Sequence, residues 1–432
     1  MFKKFAVGLL AALVILIPMG VALAAPGTAT ASPTATATPT ATAKAAAATG
    51  VAASATPAAS AGTVQQAAAT APANTADSFS FNCKAALLID ADTGTVLYEK
   101  NADEKLPVAS VTKVMTLLLA FEALDQGKFA LDDQIVVSAN AAGMGGSQAL
   151  LDANGKYKAG DLLKTIIVAS ANDSSVAMAE LISGSESLFV EAMNARAAEL
   201  GMVNTHFVNC TGLPAEGQYT TARDVALMSR QLIKHPLFFQ YSKVWMFDLQ
   251  HANGRITQLS NTNKLTRFYD GCDGIKTGST DEAGYCLSSS AKRGDTRFQA
   301  VVLGANTSQE RNTYVTKLFD YAFATYKSVS LYAAGDAVQS GIRVWGGQLT
   351  TMNAVTNERV SALVKKGEEG KVDKSIELYQ PVNAPVEKGE QIGILRVYKD
   401  GQLVDEYPLL ADRDVLEAGF WTNITKILDT LK

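Results

Sequence analysis

The chain has 432 residues, 47% of them apolar and 19% charged, which is enough for a sizeable core and for two or more folded units. Lys and Arg total 38 and Asp and Glu total 42, so the formal net charge of −4 argues against broad nucleic-acid binding, which requires a basic face. Four cysteines and three histidines are too few for a disulfide scaffold or a multi-ligand metal site, and we expect no metal and no cofactor.

Residues 1–24 have the pattern of a secretory signal peptide. Lys3 and Lys4 precede an apolar stretch over 5–17, and Ala22-Leu23-Ala24 is an A-x-A-type cleavage site. A permanent membrane anchor is the alternative, although the stretch before Pro18 is shorter than the ~20 residues that span a bilayer. Both interpretations predict that the rest of the chain works outside the cytoplasm.

Residues 25–77 are predicted to be a disordered linker. The stretch from Ala25 to about Ala76 consists almost only of Ala, Thr, Pro and Ser, with no aromatic residue and with Lys44 as its only charge. Such a composition cannot bury enough surface to offset the entropy of ordering it.

Residues 78–328 are predicted to form a mixed α+β domain. Apolar runs over 85–89 and 95–98, separated by Asp92-Thr93-Gly94, are typical of a β-hairpin, and a helix follows Ser110. Further helices are predicted over 160–168, 176–182, 189–200 and about 312–326, and strands over 275–277, 285–289 and 298–303. Strands, then helices, then strands indicate α+β and not a repeated βαβ unit.

Residues 329–412 are predicted to form a small all-β domain without a catalytic constellation. Short alternating runs occur over 341–345, 376–379, 392–398 and 402–407, and Asp400-Gly401 favours a two-residue hairpin.

Residues 413–432 are predicted to form an amphipathic helix. Its apolar residues recur at helical spacing at Phe420, Trp421, Ile424, Ile427, Leu428 and Leu431. Two roles remain open, namely packing on the β domain and contact with a membrane surface.

Three short motifs could carry chemistry together: Ser110-Val111-Thr112-Lys113, Ser170-Ala171-Asn172 and Lys276-Thr277-Gly278. A serine hydroxyl is a weak nucleophile until a base takes its proton, and residues i and i+3 of a helix share a face. Lys113 can therefore be the base for Ser110 if burial or a nearby positive charge lowers its pKa.

The third motif suits the binding of a substrate's carboxylate end. Lys276 and Thr277 offer a cation and a hydroxyl, and Gly278 lets a substrate backbone approach the strand. The N–H groups of Ser110, at a helix start, and of Ser279 could form an oxyanion hole.

Each motif alone has a structural explanation: Ser110 as a helix cap, Lys113 as a solvated charge and Lys276-Thr277-Gly278 as a strand that enters a turn. The rival route to a serine nucleophile is a triad that depends on histidine. None of the histidines lies in a G-x-S-x-G-type context, and we expect His206, His235 and His251 to be structural.

The chain resembles the serine-type D-alanyl-D-alanine carboxypeptidases, the low-molecular-mass penicillin-binding proteins, in these motifs and beyond them. The similarity is strong from about Phe79 to Tyr326 and looser in the β domain. The segments that carry it, besides the three motifs, are 86–94, 107–116, 170–173, 221–224, 261–265 and 273–278.

The resemblance implies a β-lactamase/transpeptidase-like fold, an antiparallel sheet flanked by helices with a helical subdomain. Ser110 would form the acyl-enzyme and Lys113 would accept its proton. Ser170 would relay a proton to the leaving D-alanine, and Asn172 would bind the substrate amide. Lys276 and Thr277 would bind the terminal carboxylate, with Arg223 as a further carboxylate partner or, alternatively, a member of an in-helix ion pair.

The implied substrate is the peptidoglycan stem peptide that ends in D-Ala-D-Ala, in cell wall biogenesis at the outer face of the cytoplasmic membrane, with β-lactams as covalent inhibitors. Endopeptidase or transpeptidase action, and a non-catalytic β-lactam sensor or wall-binding protein, remain alternatives. Ala171 stands where class A β-lactamases carry Asp, and no clear deacylating Glu is seen, which argues against antibiotic hydrolysis as the main activity. A disulfide among Cys83, Cys210, Cys272 and Cys286 is left open.

Overall fold

The computed structural model of the protein describes residues 79–420. The predicted leader (1–24), the linker (25–77) and the last part of the predicted C-terminal helix (421–432) lie outside these residues. Among the residues that are described, no helix is long and apolar enough to cross a membrane.

The first part of the described chain is mixed α and β, as predicted. Its strands are β1 (Ala85–Asp90), β2 (Val96–Lys100), β3 (Gln134–Val136), β4 (Lys156–Lys158), β5 (Met246–Gln250), β6 (Ile256–Ser260), β7 (Cys272–Thr280), β8 (Gly284–Arg293) and β9 (Thr296–Ala305). Its helices are α1 (Lys113–Asp125), α2 (Ala139–Ala142), α3 (Ala159–Ala169), α4 (Asn172–Ser183), α5 (Glu186–Glu199), α6 (Ala222–Leu232), α7 (Pro236–Ser242), α8 (Leu265–Phe268) and α9 (Ser308–Thr325). A short 3-10 helix, Ala109–Thr112, leads into α1.

A five-stranded antiparallel sheet in the order β2-β1-β9-β8-β7 is the framework of this part. The aromatic and aliphatic face of α9 packs on one side of the sheet, around Phe298, Leu318 and Phe319. The other helices share a second core with the opposite side, in which Val114, Leu118 and the apolar face of α3 are fully buried. Strand β7 lies at the edge of the sheet, so one of its sides is open to a neighbour other than a strand.

The second part, all-β as predicted, has its own core. Its strands are β10 (Tyr326–Tyr332), β11 (Ala337–Trp345), β12 (Thr351–Val355), β13 (Val360–Lys365), β14 (Val372–Leu378), β15 (Val382–Asn383), β16 (Gln391–Lys399) and β17 (Gln402–Ala411), with a 3-10 turn at Glu369–Lys371. Six of them form a sheet in the order β14-β16-β17-β12-β11-β15, and β10 pairs with β13. Asp400 (φ 49°) and Gly401 (φ 74°) form the predicted two-residue turn, since both central residues of a type I′ turn need positive φ.

The predicted helix over 413–432 does not begin where the sequence pattern placed it. Val415 and Glu417 form isolated bridges with Val386 and Gly347, and the Val415 side chain is buried in the β core. Residues 413–419 are therefore not helical, because their backbone groups pair with the β domain.

The junction of the two parts contains a buried acid. Asp90, at the end of β1, accepts hydrogen bonds from the backbone N–H and the hydroxyl of Thr93, both at 2.8 Å, and from the hydroxyl of Ser328 on β10 at 3.2 Å. Burial, reinforced by the nearby Asp92, raises the pKa of Asp90 from 3.8 to about 6. The ionised carboxylate thus weakens the fold relative to its protonated form.

We expect Asp90→Asn to stabilise the protein relative to wild type increasingly as the pH rises from 4 to about 6, by up to about 3 kcal/mol. The folded state holds the Asp90 proton more tightly than the unfolded chain does, so wild type loses stability over this interval, whereas the asparagine variant has no proton to lose. Thermal unfolding of both proteins between pH 4 and 7 measures the difference. The exposed Asp281→Asn is the control, and parallel profiles for wild type and Asp90→Asn would contradict the prediction.

Candidate active site

The nucleophile segment lies where β7 meets the helices. Ser110 sits in the 3-10 helix that precedes α1, and the residue before it, Ala109, has a positive φ of 49°. Lys113 is the first residue of α1, and its Nζ lies 2.9 Å from Oγ of Ser110. The predicted i, i+3 contact between the two side chains is present in the structure.

The Lys113 amine is fully buried, which decides its protonation. Its Nζ donates a hydrogen bond to the carbonyl of Thr211 at 2.6 Å. Burial lowers the pKa of Lys113 from 10.5 to about 7, against the opposing effects of Cys210 and Asp173. A neutral amine that donates to Thr211 keeps its lone pair for the Ser110 hydroxyl, so near neutral pH Lys113 can accept the serine proton.

The second motif lies at a break between two helices. Ser170 ends α3 in the left-handed conformation (φ 64°), and α4 begins at Asn172. The side-chain amide of Asn172 donates to the carbonyl of Gly145 at 2.7 Å, and its backbone N–H donates to the carbonyl of Ser147 at 2.7 Å. Both carboxylate oxygens of Asp173 accept backbone N–H groups, from Ala149 and Leu151.

Two polar atoms of this motif are buried without a hydrogen-bond partner in the described part of the chain: Oγ of Ser170 and Oδ1 of Asn172. Buried polar atoms are nearly always paired, and exceptions commonly mark the place of a ligand or a water. These two atoms are therefore available to a substrate.

The third motif lies on the edge strand β7, in contact with the nucleophile segment. A Cβ atom added to Gly278 would stand 2.6 Å from the carbonyl oxygen of Val108 and 2.9 Å from the backbone nitrogen of Ser110. This close approach requires glycine. The next residue, the exposed Ser279, therefore lies close to the nucleophile segment. An oxyanion hole made by the backbone N–H groups of Ser110 and Ser279 requires this proximity.

Hydrogen bonds link the third motif to the end of α3, two residues before the second motif. The Thr277 hydroxyl donates to the hydroxyl of Thr262 at 2.8 Å, and the Thr262 backbone N–H donates to the carbonyl of Val168 in the last turn of α3. The first and third motifs are therefore in contact at Ser110, and the end of α3 that carries the second motif is hydrogen-bonded to the third. Thr262 lies within the matched segment 261–265, but its linking role was not predicted.

Lys276 belongs to a buried cluster of cations. Its Nζ donates to the carbonyl of Thr277 at 3.0 Å, and burial, together with the positive charges of Lys113 and Arg311, lowers the pKa of Lys276 well below its usual value. Burial also lowers the pKa of Arg311. A bound anion would relieve this repulsion, so the cluster is suited to a carboxylate.

Arg311 was missed by the sequence reasoning. It lies in the first turn of α9, is 6% exposed and donates to the side-chain oxygen of Asn312. No motif surrounds it in the sequence, and only the packing of α9 against the sheet brings it near Lys276.

The structure gives Arg223 other partners. Its guanidinium donates to Asp103 at 2.7 and 2.9 Å and to Glu99 at 2.8 Å, on and just after β2. Both acids lie outside α6, the helix that carries Arg223. The alternative prediction, an ion pair of Arg223 with an acid of its own helix, is therefore wrong. A role of Arg223 in substrate binding remains a prediction that these contacts do not support.

Other nucleophiles and bases have partners elsewhere. His206 is hydrogen-bonded to the carbonyl of Gly217, His235 to the carboxylate of Asp125, and His251 to the hydroxyl of Tyr157. All four cysteines are free and buried, and burial raises the pKa values of their thiols, which leaves them protonated near neutral pH. Within residues 79–420, no group of three or more His, Cys, Asp or Glu side chains could hold a metal ion.

Comparison with known proteins identifies the two parts separately. Residues 68–307 match the family described as D-alanyl-D-alanine carboxypeptidase, and residues 326–417 match the C-terminal domain of penicillin-binding protein 5. The chain is 44% identical over 346 residues to the D-alanyl-D-alanine carboxypeptidase DacF of Bacillus subtilis, covering 80% of this chain and 89% of that protein. It is 34% identical to DacC of Escherichia coli, covering 82% and 90%.

Solved structures agree with these matches. Penicillin-binding protein 5 of Haemophilus influenzae superposes with a TM-score of 0.64 and 30% identity over 78% of this chain and 98% of that one. A DD-transpeptidase of Streptomyces superposes with a TM-score of 0.53 and 28% identity, over 57% of this chain and 99% of that one.

Proposed function

The chain belongs to the D-alanyl-D-alanine carboxypeptidase family of serine peptidases, and from that premise we propose that Ser110 and Lys113 carry its catalysis. The protein is a hydrolase that removes the terminal D-alanine from peptides ending in D-Ala-D-Ala, and a penicillin-binding protein. The observation that carries the assignment of residues is the 2.9 Å contact between the Ser110 hydroxyl and a buried amine whose pKa is about 7.

Acylation would use the three motifs together. The Ser110 oxygen attacks the carbonyl carbon of the penultimate D-alanine while its proton passes to Lys113. The backbone N–H groups of Ser110 and Ser279 stabilise the negative oxygen of the tetrahedral intermediate. Its collapse breaks the C–N bond, and the proton reaches the leaving amine through Ser170, releasing D-alanine and leaving an ester on Ser110.

Deacylation would reverse the proton's path. Lys113 takes a proton from a water molecule, which attacks the ester carbonyl, and the proton returns to the Ser110 oxygen as the shortened peptide leaves.

Asn172 holds the substrate amide through its unpaired Oδ1, while the side-chain N–H of Asn172 donates to the carbonyl of Gly145 and so fixes the orientation of the side chain.

The carboxylate of the terminal D-alanine would lie among Lys276, Thr277 and Arg311. Burial and the charge of Arg311 lower the pKa of Lys276, and burial lowers the pKa of Arg311, so a bound anion would stabilise the protonated form of both side chains. We place Arg311 in this role, and not Arg223, whose guanidinium is held by two carboxylates.

Ser110→Ala should abolish covalent labelling by a fluorescent penicillin, because the Ser110 hydroxyl is the nucleophile that contacts the Lys113 amine. The Cys210 thiol also lies near Lys113, but it is fully buried and its pKa is raised, so it cannot replace the serine. Mass spectrometry of the intact protein and of its peptides, with penicillin and with a D-Ala-D-Ala peptide, would report the modified residue, the product and the acyl lifetime. Persistent labelling of Ser110→Ala would remove Ser110 as the nucleophile. Transfer of the acyl group to an added amino acid, with no free shortened peptide, would instead favour transpeptidation, the activity named for the Streptomyces relative.

Arg311→Ala is expected to lower kcat/KM for a D-Ala-D-Ala peptide by about 10- to 100-fold, the value of a charge-assisted hydrogen bond. An amidated peptide, which lacks the carboxylate, should be hydrolysed slowly and equally by wild type and Arg311→Ala. Arg223→Ala is the matched control, with kcat/KM expected within about twofold of wild type. The reverse pattern for the two arginines would restore Arg223 as the carboxylate partner.

We further propose that residues 1–24 direct export, that residues 25–77 are a tether, and that the terminal segment from Phe420 onward attaches the enzyme to a membrane surface. Export agrees with the substrate, since peptidoglycan lies outside the cytoplasm. Deleting residues 420–432 should move the protein from the membrane to the soluble fraction once the leader is cleaved. Unchanged partitioning would show that the segment only packs on the β domain.

A further inference from the structure

Four large apolar side chains are exposed on two paired segments of the β domain: Trp345 (49% exposed), Leu349 (46%), Leu416 (62%) and Phe420 (72%). We call these residues the apical patch. Large apolar side chains exposed as a group, and not singly, commonly mark an interaction surface.

The backbone holds the two halves of the apical patch side by side. Trp345 is the last residue of β11 and Leu349 lies in the turn between β11 and β12, whereas the segment that follows β17 carries Leu416 and Phe420. Gly347 bridges Glu417, the Gln348 N–H donates to the Leu416 carbonyl at 2.7 Å, and the Ala418 N–H donates to the Gly346 carbonyl at 2.7 Å.

Buried neighbours make this presentation rigid. Val415 is 1% exposed and exchanges backbone hydrogen bonds with Val386, in the core of the β domain. The exposed side chains of the patch therefore project from a fixed support and do not require folding of a loop on binding, which lowers the entropic cost of an interaction.

The chemistry of the patch fits a lipid–water interface. Trp345 has an apolar ring and a polar N–H, and the Arg343 guanidinium lies 3.9 Å above its ring. The charges nearby are mixed: Arg343 and Arg413 are accompanied by Asp414 and Glu417. Contact would therefore depend mainly on apolar burial and only weakly on anionic lipid.

The course of the chain points to the same occupant. Twelve residues, Trp421 to Lys432, continue directly from Phe420 at the edge of the patch, and their sequence repeats apolar residues at helical spacing. A terminal segment lying in a bilayer interface would hold Phe420, and with it this edge of the patch, close to the same surface.

We propose that the apical patch is a membrane-contacting surface of the β domain, which enters the lipid interface beside the terminal segment. The inference is independent of the catalytic chemistry, and it rests on the membrane location proposed above for the terminal segment. It adds a second contact, fixed in the fold, which would orient the β domain on the bilayer and not merely tether it.

Quenching of tryptophan fluorescence by brominated phosphatidylcholine tests the contact locally, whatever else anchors the chain. The protein has three tryptophans, so Trp421→Phe leaves Trp245 and Trp345. Trp245 packs against Phe268 and Arg267 in the peptidase part. Vesicle-bound Trp421→Phe should be quenched, and the added change Trp345→Phe should remove the quenching. Equal quenching of the two variants, or none in Trp421→Phe, would overturn the proposal.

Partition into vesicles gives the second measurement. The double variant Trp345→Ser/Leu349→Ser should bind phosphatidylcholine vesicles about 10- to 30-fold more weakly than wild type, from the apolar surface it loses. Leu403→Ser/Val404→Ser is the matched control, since both side chains are about half exposed. They lie at the start of β17, roughly 25 Å along the strand from Ala411, after which the segment with Leu416 and Phe420 follows.

Acylation by penicillin, which needs the peptidase site, checks that each variant is folded. Equal partition of the patch variant and wild type would contradict the proposal. Stronger binding of the patch variant would also contradict it, because it would mean that the terminal segment of the same chain covers the patch.

Discussion

Lys113→Met is expected to lower the rate of acylation by penicillin by about 10²–10⁴-fold, the contribution of a general base. Methionine keeps the length and volume of the side chain, but it cannot take the proton of Ser110, whose hydroxyl lies 2.9 Å from the amine. The variant should fold, since it removes a polar group that is fully buried and whose desolvation opposes folding. Stopped-flow labelling with a fluorescent penicillin measures the rate.

The pH dependence of wild type follows from the same group. Because the pKa of Lys113 is lowered to about 7, the amine is protonated and inactive as a base below this pH and neutral above it. The acylation rate should therefore rise with pH through about 7 and level off, whereas Lys113→Met should show no such limb. Lys164→Met, in the neighbouring helix α3, is the control and should behave as wild type. An unchanged rate in Lys113→Met would show that another group is the base.

Gly278→Ala is expected to lower the acylation rate by about 10²–10³-fold, although it adds only one methyl group. The new Cβ would stand 2.6 Å from the Val108 carbonyl and 2.9 Å from the backbone nitrogens of Ser110 and Val111. These neighbours are backbone atoms, which cannot rotate away, so β7 and the nucleophile segment must separate. The separation would displace the Ser110 and Ser279 N–H groups from the oxyanion.

The control for this prediction is Gly370→Ala in the β domain, where an added Cβ meets no atom within 4 Å. Thermal unfolding should place the stability loss of Gly278→Ala at about 1–3 kcal/mol, the usual cost of overpacking, so that the variant is studied folded. Acylation within twofold of wild type would mean that the close contact of β7 with Ser110 is not needed for catalysis.

The sequence was most informative where function depends on short spacing. Ser110 and Lys113 are three residues apart, so their contact follows from helical geometry alone, and the structure has it, although Ser110 lies in a 3-10 turn and α1 begins only at Lys113. The first hairpin, the all-β second part and the turn at Asp400-Gly401 were likewise predictable, because period-two alternation and positive-φ residues act locally.

Elements that depend on tertiary packing were missed or misplaced. The short strands β3 to β6 and the helices α7 and α8 have patterns too short to detect in the sequence, whereas α6, with 11 residues, was long enough to predict and was missed. Residues 413–419 look helical but pair with Val386 and Gly347. A backbone that finds hydrogen-bond partners in a neighbouring strand does not need a helix, and no local pattern reports such partners.

The sequence by itself thus determined the kind of chemistry: a serine, a lysine at i+3 and a lysine-threonine-glycine strand, whose side-chain properties are intrinsic. The tertiary structure alone decided how that chemistry is tuned. Full burial lowers the pKa of Lys113, the packing of α9 brings Arg311 to Lys276, and the close approach of Gly278 seats β7 against Ser110. Desolvation and distance depend on everything that surrounds a group, which is why they become readable only once the chain has folded.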